Sequence, residues 1–491
     1  MEAYHETGRP PVQTNACSGP PLRTSGPGEL LKVWRGRNRL FPGQSWIRSS
    51  YPQGIRYRRE EKLALQVHHP TDQAALAVTG VVLLGGAHGA LSVARSFGRK
   101  NVAVVLLTDD HPLPKLSRHV HRSYEWPGAL SPQVEQWLVD FAIRHDLQNW
   151  LLIPCADAEV KCVAQHLDRL RSVFRIVSCD WRELQKVCDK RLLAETAAAA
   201  GIDSPRSYRV RSAHDAESVE VQFPVVLKPA MRLQRNAFTS RKALRADSRE
   251  QLTRHYRDAA SLMGQDDVVV QELVPGGGEQ QFSYAALWYG GAPVAEMSAR
   301  RMRQFPIEFG HTSTFVEVVD NDAVKLAGRK LLSLIGFEGL VEIEFKRDTR
   351  DGSYKVLDVN PRPWSWFALC EAAGQDLPIL MRNIVLGDPI LPVRPRVGQV
   401  WLHLPKDSIA AALLIFQGKL GFLDYIQVFR RKPTFAAFDW DDPLPGLLEL
   451  PLTAYRVVCR AIAALAAARP GLRTADAGKI GADRGRPVKD C

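Results

Sequence analysis

Glu342, Glu344, Asp358 and Asn360 lie in the stretch VEIEFKRDTRDGSYKVLDVNPRPW, residues 341–364. They interrupt two runs that otherwise have the composition of buried strands. On a two-residue period, Val341, Ile343 and Phe345 share one face of the first run, and Glu342, Glu344 and Lys346 share the other. In the second run the same period puts Leu357 and Val359 on one face, and Val356, Asp358 and Asn360 on the opposite one. Asp351-Gly352 between the runs signals a hairpin turn. A two-residue turn would set Glu344 opposite Val359. An odd loop, Arg350-Asp351-Gly352, or a bulge sets Glu344 opposite Asp358 and Glu342 opposite Asn360. That register is the expectation. Opposed like charges destabilise a sheet unless something neutralises them. A hard divalent cation with oxygen ligands does so, and Mg²⁺ usually brings phosphates with it. A solvated face with ordinary charge alternation is the plainer alternative. The proline and tryptophan of Asp-Val-Asn-Pro-Arg-Pro-Trp argue against it, because they shape a packed exit from the strand.

Two lysines offer phosphate chemistry. Lys228 ends the apolar strand Val225-Val226-Leu227 and is followed by proline, an odd place for a solvated charge. Lys190 opens a helix, and lysine is a common point-charge phosphate binder. Either residue alone reads as an ordinary surface lysine. The stretch VVVQELVPGGGEQQ joins a buried strand, containing Gln271 and Glu272, through Leu273 and Val274 to a glycine loop and Glu279. Backbone at a strand end can pair with a purine edge, and a carboxylate can bind ribose hydroxyls. Taken alone the stretch is a hairpin with a flexible tip. Gly85-Gly86-x-x-Gly89 follows a strand and opens a helix, and fits a dinucleotide fingerprint only in part. Tight strand–helix packing without a cofactor is the expected reading, with the helix-start N–H groups available to a substrate carboxylate.

Positioning these groups needs several elements. VTGVVLLGGAHGALSVARSFGRKNVAVVLLTDD reads as strand, glycine turn, helix, strand, and NWLLIPCADAEVKCVAQHLDRL repeats the strand-to-helix idea, so residues 78–182 are expected to form an open parallel α/β sheet. Helices and hairpins alternate without strict βαβ order over 183–395, an α+β pattern with subdomains 183–266 and 267–395. Residues 396–468 read as a mixed C-terminal extension and 469–491 as a disordered tail. Residues 1–77, rich in Pro, Gly, Ser and Arg, read as a disordered or loosely docked extension.

Composition bounds the partners. The 491 residues give room for two to four domains, and the formal net charge of +12 suits anionic substrates, ATP included. No interleaved stacking aromatics or nucleic-acid module is visible, so no nucleic-acid partner is expected. The eight cysteines form no Cys-x-x-Cys pair or Cys/His metal spacing and read as reduced thiols of a cytoplasmic protein. The first thirty residues lack an apolar core of a signal peptide. No apolar run reaches about 18 residues, so no membrane span is expected.

In order, an Asp-Lys helix, a strand ending Lys-Pro, Gln-Glu-Leu-Val-Pro-Gly, Glu-Ile-Glu-Phe and Asp-Val-Asn-Pro-Arg make residues 80–390 similar to the ATP-grasp superfamily. RRMRQFPIEFGHTST and VLDVNPRPW most resemble its ATP-dependent carboligases, described as carboxylate–amine ligases. The resemblance implies an ATP-grasp fold with an N-terminal Rossmann-like pre-ATP-grasp domain. It implies that Lys190 and Lys228 hold ATP phosphates and that Gln271, Glu272, Leu273 and Val274 frame adenine, with Glu279 on the ribose. Glu344, Asp358 and Asn360 would ligate Mg²⁺, two ions in the usual case, with Mn²⁺ as an alternative. Arg362 would face the transferred phosphoryl group or the intermediate, and Arg300, Arg301 and Arg303, which precede Pro306 and Gly310, a substrate carboxylate or oxyanion. Asp358 stands where the superfamily usually has glutamate. The loop after Lys228 has Arg232, Arg235, Arg241 and Lys242 where many relatives have glycines. The implied reaction joins a small-molecule carboxylate to an amine through an acyl phosphate, releasing ADP and phosphate. A homodimer is an allowed assembly. The rival readings are a catalytically weak ATP-binding regulatory protein, a carboxylase acting through carboxyphosphate, and a dehydrogenase built on Gly85–Gly89.

Overall fold

A computed structural model describes residues 79–467 except 110, 111, 235, 242 and 308–311; side chains are described as far as residue 455. The expectations for 1–77 and 469–491, and those for Arg235, Lys242 and Gly310, lie outside the described residues.

The first sheet is built from β1 (Gly80–Leu84), β2 (Ala103–Leu107), β3 (Arg122–Tyr124) and β4 (Leu151–Pro154), in the order β3-β2-β1-β4. All its pairings are parallel. The strand sequences are continuous apolar runs because helices cover both faces. Val81, Leu83, Val104 and Leu106 pack on Ala90, Val93 and Phe97 of the helix His88–Arg99. Val82, Leu84, Val105 and Leu107 pack on Leu138 and Phe141 of Val134–Arg144 and on Val163 of Asp157–Gln165.

The second sheet is antiparallel: β5 (Ser207–Tyr208), β6 (Val225–Pro229), β7 (Leu244–Ala246) and β8 (Val268–Glu272), ordered β5-β8-β6-β7. Alternation divides its faces. Val225, Leu227, Val268 and Val270 bury against Leu252, Tyr256 and Ala259 of the helix Arg249–Met263. Val226, Lys228 and Gln271 therefore point the other way.

The third sheet is the largest: β9 (Gln281–Tyr289), β10 (Ala292–Phe305), β11 (Thr312–Val319), β12 (Gly339–Arg347), β13 (Tyr354–Asn360), β14 (Val400–Leu402) and β15 (Thr434–Phe435), in the order β13-β12-β9-β10-β11-β14-β15. Residues from the segment 396–468 thus contribute its last two strands. Val341, Ile343, Phe345, Tyr284 and Ala286 bury one face against Leu193 of the helix Lys190–Ala199 and Val324 and Leu331 of Asp322–Leu334. The other face is divided along its length. At one end Leu340, Leu287, Ala285 and Met297 join the core that includes the helix His88–Arg99. At the other end, two and four residues along β12 from Glu342, stand Glu344 and Lys346. The same strands therefore supply a dry interface to the first domain and a polar floor beyond it.

The hairpin β12–β13 has the expected register, with Glu342 opposite Asn360 and Glu344 opposite Asp358. A bulge sets it rather than a three-residue loop: Glu344 pairs with Asp358 but Phe345 with Val356, leaving Leu357 extra. This corrects the assignment of faces. Val356 and Val359 both enter the core, and Leu357 lines the cavity together with Asp358.

Candidate active site

Between the second and third sheets lies a cavity of about 420 Å³, within the range of small-molecule sites. Val226 of β6 and the bulged Leu357 of β13 line it, with Leu273, Val274 and Pro275 following β8. Lys190, Lys228, Arg232, Arg245, Glu272, Lys346 and Asp358 supply its charge. Glycines 276–278 form one wall, and Gly276 needs its positive φ of +100°.

The two lysines converge because the Lys190 backbone N–H donates to the Ala230 carbonyl at 3.2 Å, joining the helix start to the end of β6. Asp189 caps that helix by accepting from the Arg191 N–H. Lys190 Nζ lies 2.9 Å from Asp358 Oδ1, and both side chains are largely buried. Lys228 Nζ donates to Gln271 Oε1 at 3.2 Å, and Gln271 in turn donates to Ser207 Oγ at 3.1 Å. Glu272 faces a different set. Its carboxylate meets Lys355 Nζ at 2.7 Å and an Arg350 guanidinium nitrogen at 2.8 Å, and accepts the Arg206 N–H. Burial opposes the Glu272 charge, yet these donors hold the carboxyl below its usual range.

The carboxylates of β12 are buried, as a metal or phosphate site requires and a solvated face does not. Glu344 is 7% exposed and Glu342 3%. Glu344 Oε2 lies 3.5 Å from an Arg301 guanidinium nitrogen. Glu342 accepts from Ser283 Oγ at 2.8 Å, Trp366 Nε1 at 3.1 Å and Asn360 Nδ2 at 3.1 Å. Asn360 Oδ1 accepts from Arg362 at 3.1 Å. Arg362 also donates through Nε to Asp157 Oδ1, at the start of the first domain's helix Asp157–Gln165. Burial would lower the Arg362 pKa, but Asp157, Glu342 and Asp358 outweigh it and keep the guanidinium charged. The chain from Glu342 through Asn360 and Arg362 to Asp157 thus crosses from the third sheet to the carboxyl end of the first.

Most of the site residues expected from sequence gather here: Lys190, Lys228, Gln271, Glu272, Leu273, Val274, Glu344, Asp358, Asn360 and Arg362. Arg300 and Arg303 do not reach the carboxylates. Arg300 pairs across β10–β9 with Phe282, which pairs with Phe345, so it stands on the opposite sheet face from Glu344. There it donates to the Glu279 carbonyl at 2.8 Å. A register shift between Arg301 and Arg303 turns Arg303 toward Phe315 and a buried, two-pronged pair with Asp407, at 3.0 and 2.7 Å. Arg301 is the arginine that faces the site. Glu279 is exposed, and its carboxylate accepts the Gly277 N–H at 3.2 Å rather than lining the cavity. Of the loop after Lys228, Arg232 lines the cavity and Arg241 does not; Arg245, on β7, does.

Sequence reasoning missed Asp157, Arg245 and Lys346. Lys346 had a signal, since it lies two residues beyond Glu344 on the same strand face. Burial pushes its pKa down, with the Glu279 charge opposing. Glu159 was also missed. It is 8% exposed and lies beside Gly85, where a Cβ would come within 2.9 Å of Glu159 Oε1. Burial raises its pKa to about 7, its own backbone N–H opposing, with the charges of Asp109 and Asp157 raising it further and Arg362 lowering it. The sign follows. The unfolded carboxyl ionises near its ordinary 4.5, the folded one near 7, so the neutral form favours folding and that stability is lost as pH rises between the two values. Glu159→Gln is therefore expected to gain stability relative to the parent by up to about 3 kcal/mol above neutrality, and nothing at about pH 4. Urea titrations at both pH values check this; a difference independent of pH refutes it.

Gly89 does close-packing work. A Cβ there would lie 2.6 Å from the Pro363 carbonyl oxygen, next to Arg362. Backbone cannot yield as a flexible side chain does, so Gly89→Ala is expected to cost about 1–3 kcal/mol, read as a lower denaturation midpoint. An unchanged midpoint would contradict that contact.

No protein-family model matches the chain. The fold is similar to that of ATP-grasp proteins. The chain superposes with a TM-score of 0.50 on the biotin carboxylase domain of Hydrogenobacter thermophilus 2-oxoglutarate carboxylase, a structure determined with MgADP and bicarbonate, at 15% identity over 65% of this chain and 73% of that one. It superposes equally, at 0.50, on N5-carboxyaminoimidazole synthetase from Staphylococcus aureus, with 14% identity over 69% and 85% of the two chains. In sequence it is 23% identical over 225 residues to a D-aspartate ligase of Enterococcus faecium (strain Aus0004), 44% of this chain and 53% of that protein. The chain thus spans about half the length of the curated relative it matches. No helix among the described residues is long and apolar enough to cross a membrane.

Proposed function

We propose that the protein is an ATP-dependent carboxylate–amine ligase that forms an acyl phosphate and then an amide, releasing ADP and phosphate. The supporting observation is that Lys190, Lys228 and Asp358 line one cavity with the apolar Val226 and Leu357, and that Glu344 stands opposite Asp358 across the β12–β13 hairpin. In this reading residues 78–182 are a Rossmann-like substrate domain and 183–395 the ATP-grasp domain, its expected division at 266/267 moved to follow β8, which pairs with β6 in the second sheet.

Adenine fits between Val226 and Leu357, with the backbone of Glu272 to Val274 at its edge. Lys190 and Lys228 bind phosphate oxygens as point charges. The donor set of Glu344, Asp358 and Asn360 is all oxygen and suits Mg²⁺ rather than a softer ion. When bound, Mg²⁺ would neutralise phosphate charge and polarise the transferred group. Asp358 takes the Lys190 charge at 2.9 Å, so the shorter acid sits between a lysine and the metal position. Arg362, kept charged and oriented by Asp157 and Asn360, meets charge that develops on the transferred phosphoryl or on the amide-forming oxyanion. Arg301 contributes the second guanidinium beside Glu344. Positioning and charge neutralisation are what phosphoryl transfer asks of a protein.

ADP release measured across pairs of carboxylates and amines tests the reading. The name of the curated relative makes D-aspartate the first amino acid to include. Stimulation by one specific pair, dependent on ATP and Mg²⁺, is the expected result. Nucleotide binding without stimulation by any pair would overturn it.

A further inference from the structure

A second constellation lies outside the ATP cavity. His88, His403 and Glu449 come from three separate segments of the chain, yet one ligand atom from each lies within 4.8 Å of the other two. His88 opens the helix His88–Arg99, directly after the glycine turn of the first sheet. His403 follows β14, and Glu449 sits on the helix Leu444–Ala467. Glu449 Oε1 stands 2.7 Å from His88 Nε2 and 3.4 Å from His403 Nε2. The imidazole rings are tilted by 51° with centroids 4.9 Å apart, so they converge on the carboxylate instead of stacking.

His403 carries the argument. It is 2% exposed, and neither of its ring nitrogens makes a hydrogen bond. A neutral imidazole has one N–H and one lone pair, and buried polar atoms are otherwise almost always satisfied. Its Nε2 stands 3.4 Å from the carboxylate that His88 already holds. Lys406 supplies the nearby cationic charge felt at Glu449.

We propose that His88 Nε2, His403 Nε2 and the Glu449 carboxylate bind a divalent transition-metal ion, Zn²⁺ in the first instance. Two imidazoles and a carboxylate suit Zn²⁺ and its neighbours, whereas Mg²⁺ takes oxygen ligands. With metal–ligand bonds of about 2.0–2.2 Å, two ligand atoms on one ion stand roughly 3 Å apart. The observed 2.7 and 3.4 Å from the carboxylate straddle that separation, and the two imidazole ligand atoms stand within 4.8 Å of each other. Three protein ligands leave a position open for water or a substrate group. The ion would fasten the C-terminal helix and the end of β14 to the turn whose Gly89 touches Pro363, next to Arg362. The site stands whether or not the ligase reading holds.

The test uses the full chain, stripped with chelator and then given stoichiometric Zn²⁺ or Co²⁺ in a large excess of Mg²⁺. Metal content after gel filtration is expected to be about one Zn²⁺ per chain, with a visible d–d spectrum for Co²⁺. Zn²⁺ is expected to raise the melting midpoint. His88→Ala, His403→Ala and Glu449→Gln are each expected to lose stoichiometric uptake and the midpoint shift. The stripped parent chain alone decides the matter if a variant fails to fold. Absence of uptake by that chain, or uptake undiminished in all three variants, overturns the proposal.

Discussion

Glu344→Gln is expected to lower ATP-dependent ADP formation by about 10²–10³-fold, with nucleotide affinity in the absence of Mg²⁺ changed by no more than a few-fold. The substitution is nearly isosteric, so the buried position is refilled without a cavity. It removes one charge from a face where Glu344 opposes Asp358 across the β12–β13 hairpin. Arg301 then loses the carboxylate that lies 3.5 Å away and becomes the excess charge of the site. Two consequences separate this from a loss of folding. The Mg²⁺ concentration needed for half-maximal turnover rises, because an anionic oxygen donor has become a neutral amide. The thermal midpoint of the metal-free protein does not fall comparably, since the repulsion between two acids is relieved. Turnover within a few-fold of the parent would remove Glu344 from the reaction and, with it, the mechanism above.

Arg362→Lys is expected to cost a similar factor, about 10²–10³ in kcat, while the KM for ATP stays within a few-fold. The guanidinium spans two acceptors from different sheets, Asp157 of the first domain and Asn360 of β13. An ammonium cannot bridge both with fixed geometry. Arg362 is absent from the residues lining the cavity, so on the proposed reading ATP affinity does not depend on it. Kinetics with saturating ATP, with carboxylate and amine varied separately, are the measurement. A rise in the KM for ATP at unchanged kcat would instead place Arg362 on the nucleotide, contrary to the geometry. Asp157→Asn should weaken turnover less, because Asn360 still orients the arginine.

The acidic hairpin could be read in advance because strand alternation and turn parity are local properties. Given two carboxylates on β12 and an acid and an amide on β13, only one parity brings them together. The bulge that delivers that parity was not located. Nothing in Lys355-Val356-Leu357-Asp358 marks Leu357 as extra, and the choice is made by packing of Val356 and Val359 into the core. The same limit explains the arginines. Arg300, Arg301 and Arg303 are equivalent by composition, and a second irregularity in β10 decides which of them meets Glu344. Asp157 was invisible for another reason: its partner lies on a different sheet, 205 positions away in sequence. The lysine pair was legible as two phosphate-type positions, whereas the bond from Lys190 N–H to Ala230 that unites them was not. Glu159 and Gly89 acquire meaning only when the first domain is packed against the loop after β13.

The divided face of the third sheet has a mechanical consequence. The first domain shares one continuous apolar core with that sheet, so the two behave as a single jaw. The second sheet keeps its core to itself, within residues 208–270, between its strands and the helix Arg249–Met263. Polar contacts among the described residues join it to the opposing jaw: Glu272 with Lys355 and Arg350, Arg191 with the Asp266 carbonyl, and the backbone bond at Ala230. Swinging the smaller jaw away therefore ruptures ion pairs and exposes little oil. Admission of the nucleotide should be eased by salt and scarcely affected by temperature-sensitive apolar forces, while the surfaces that present the two joining partners stay locked together.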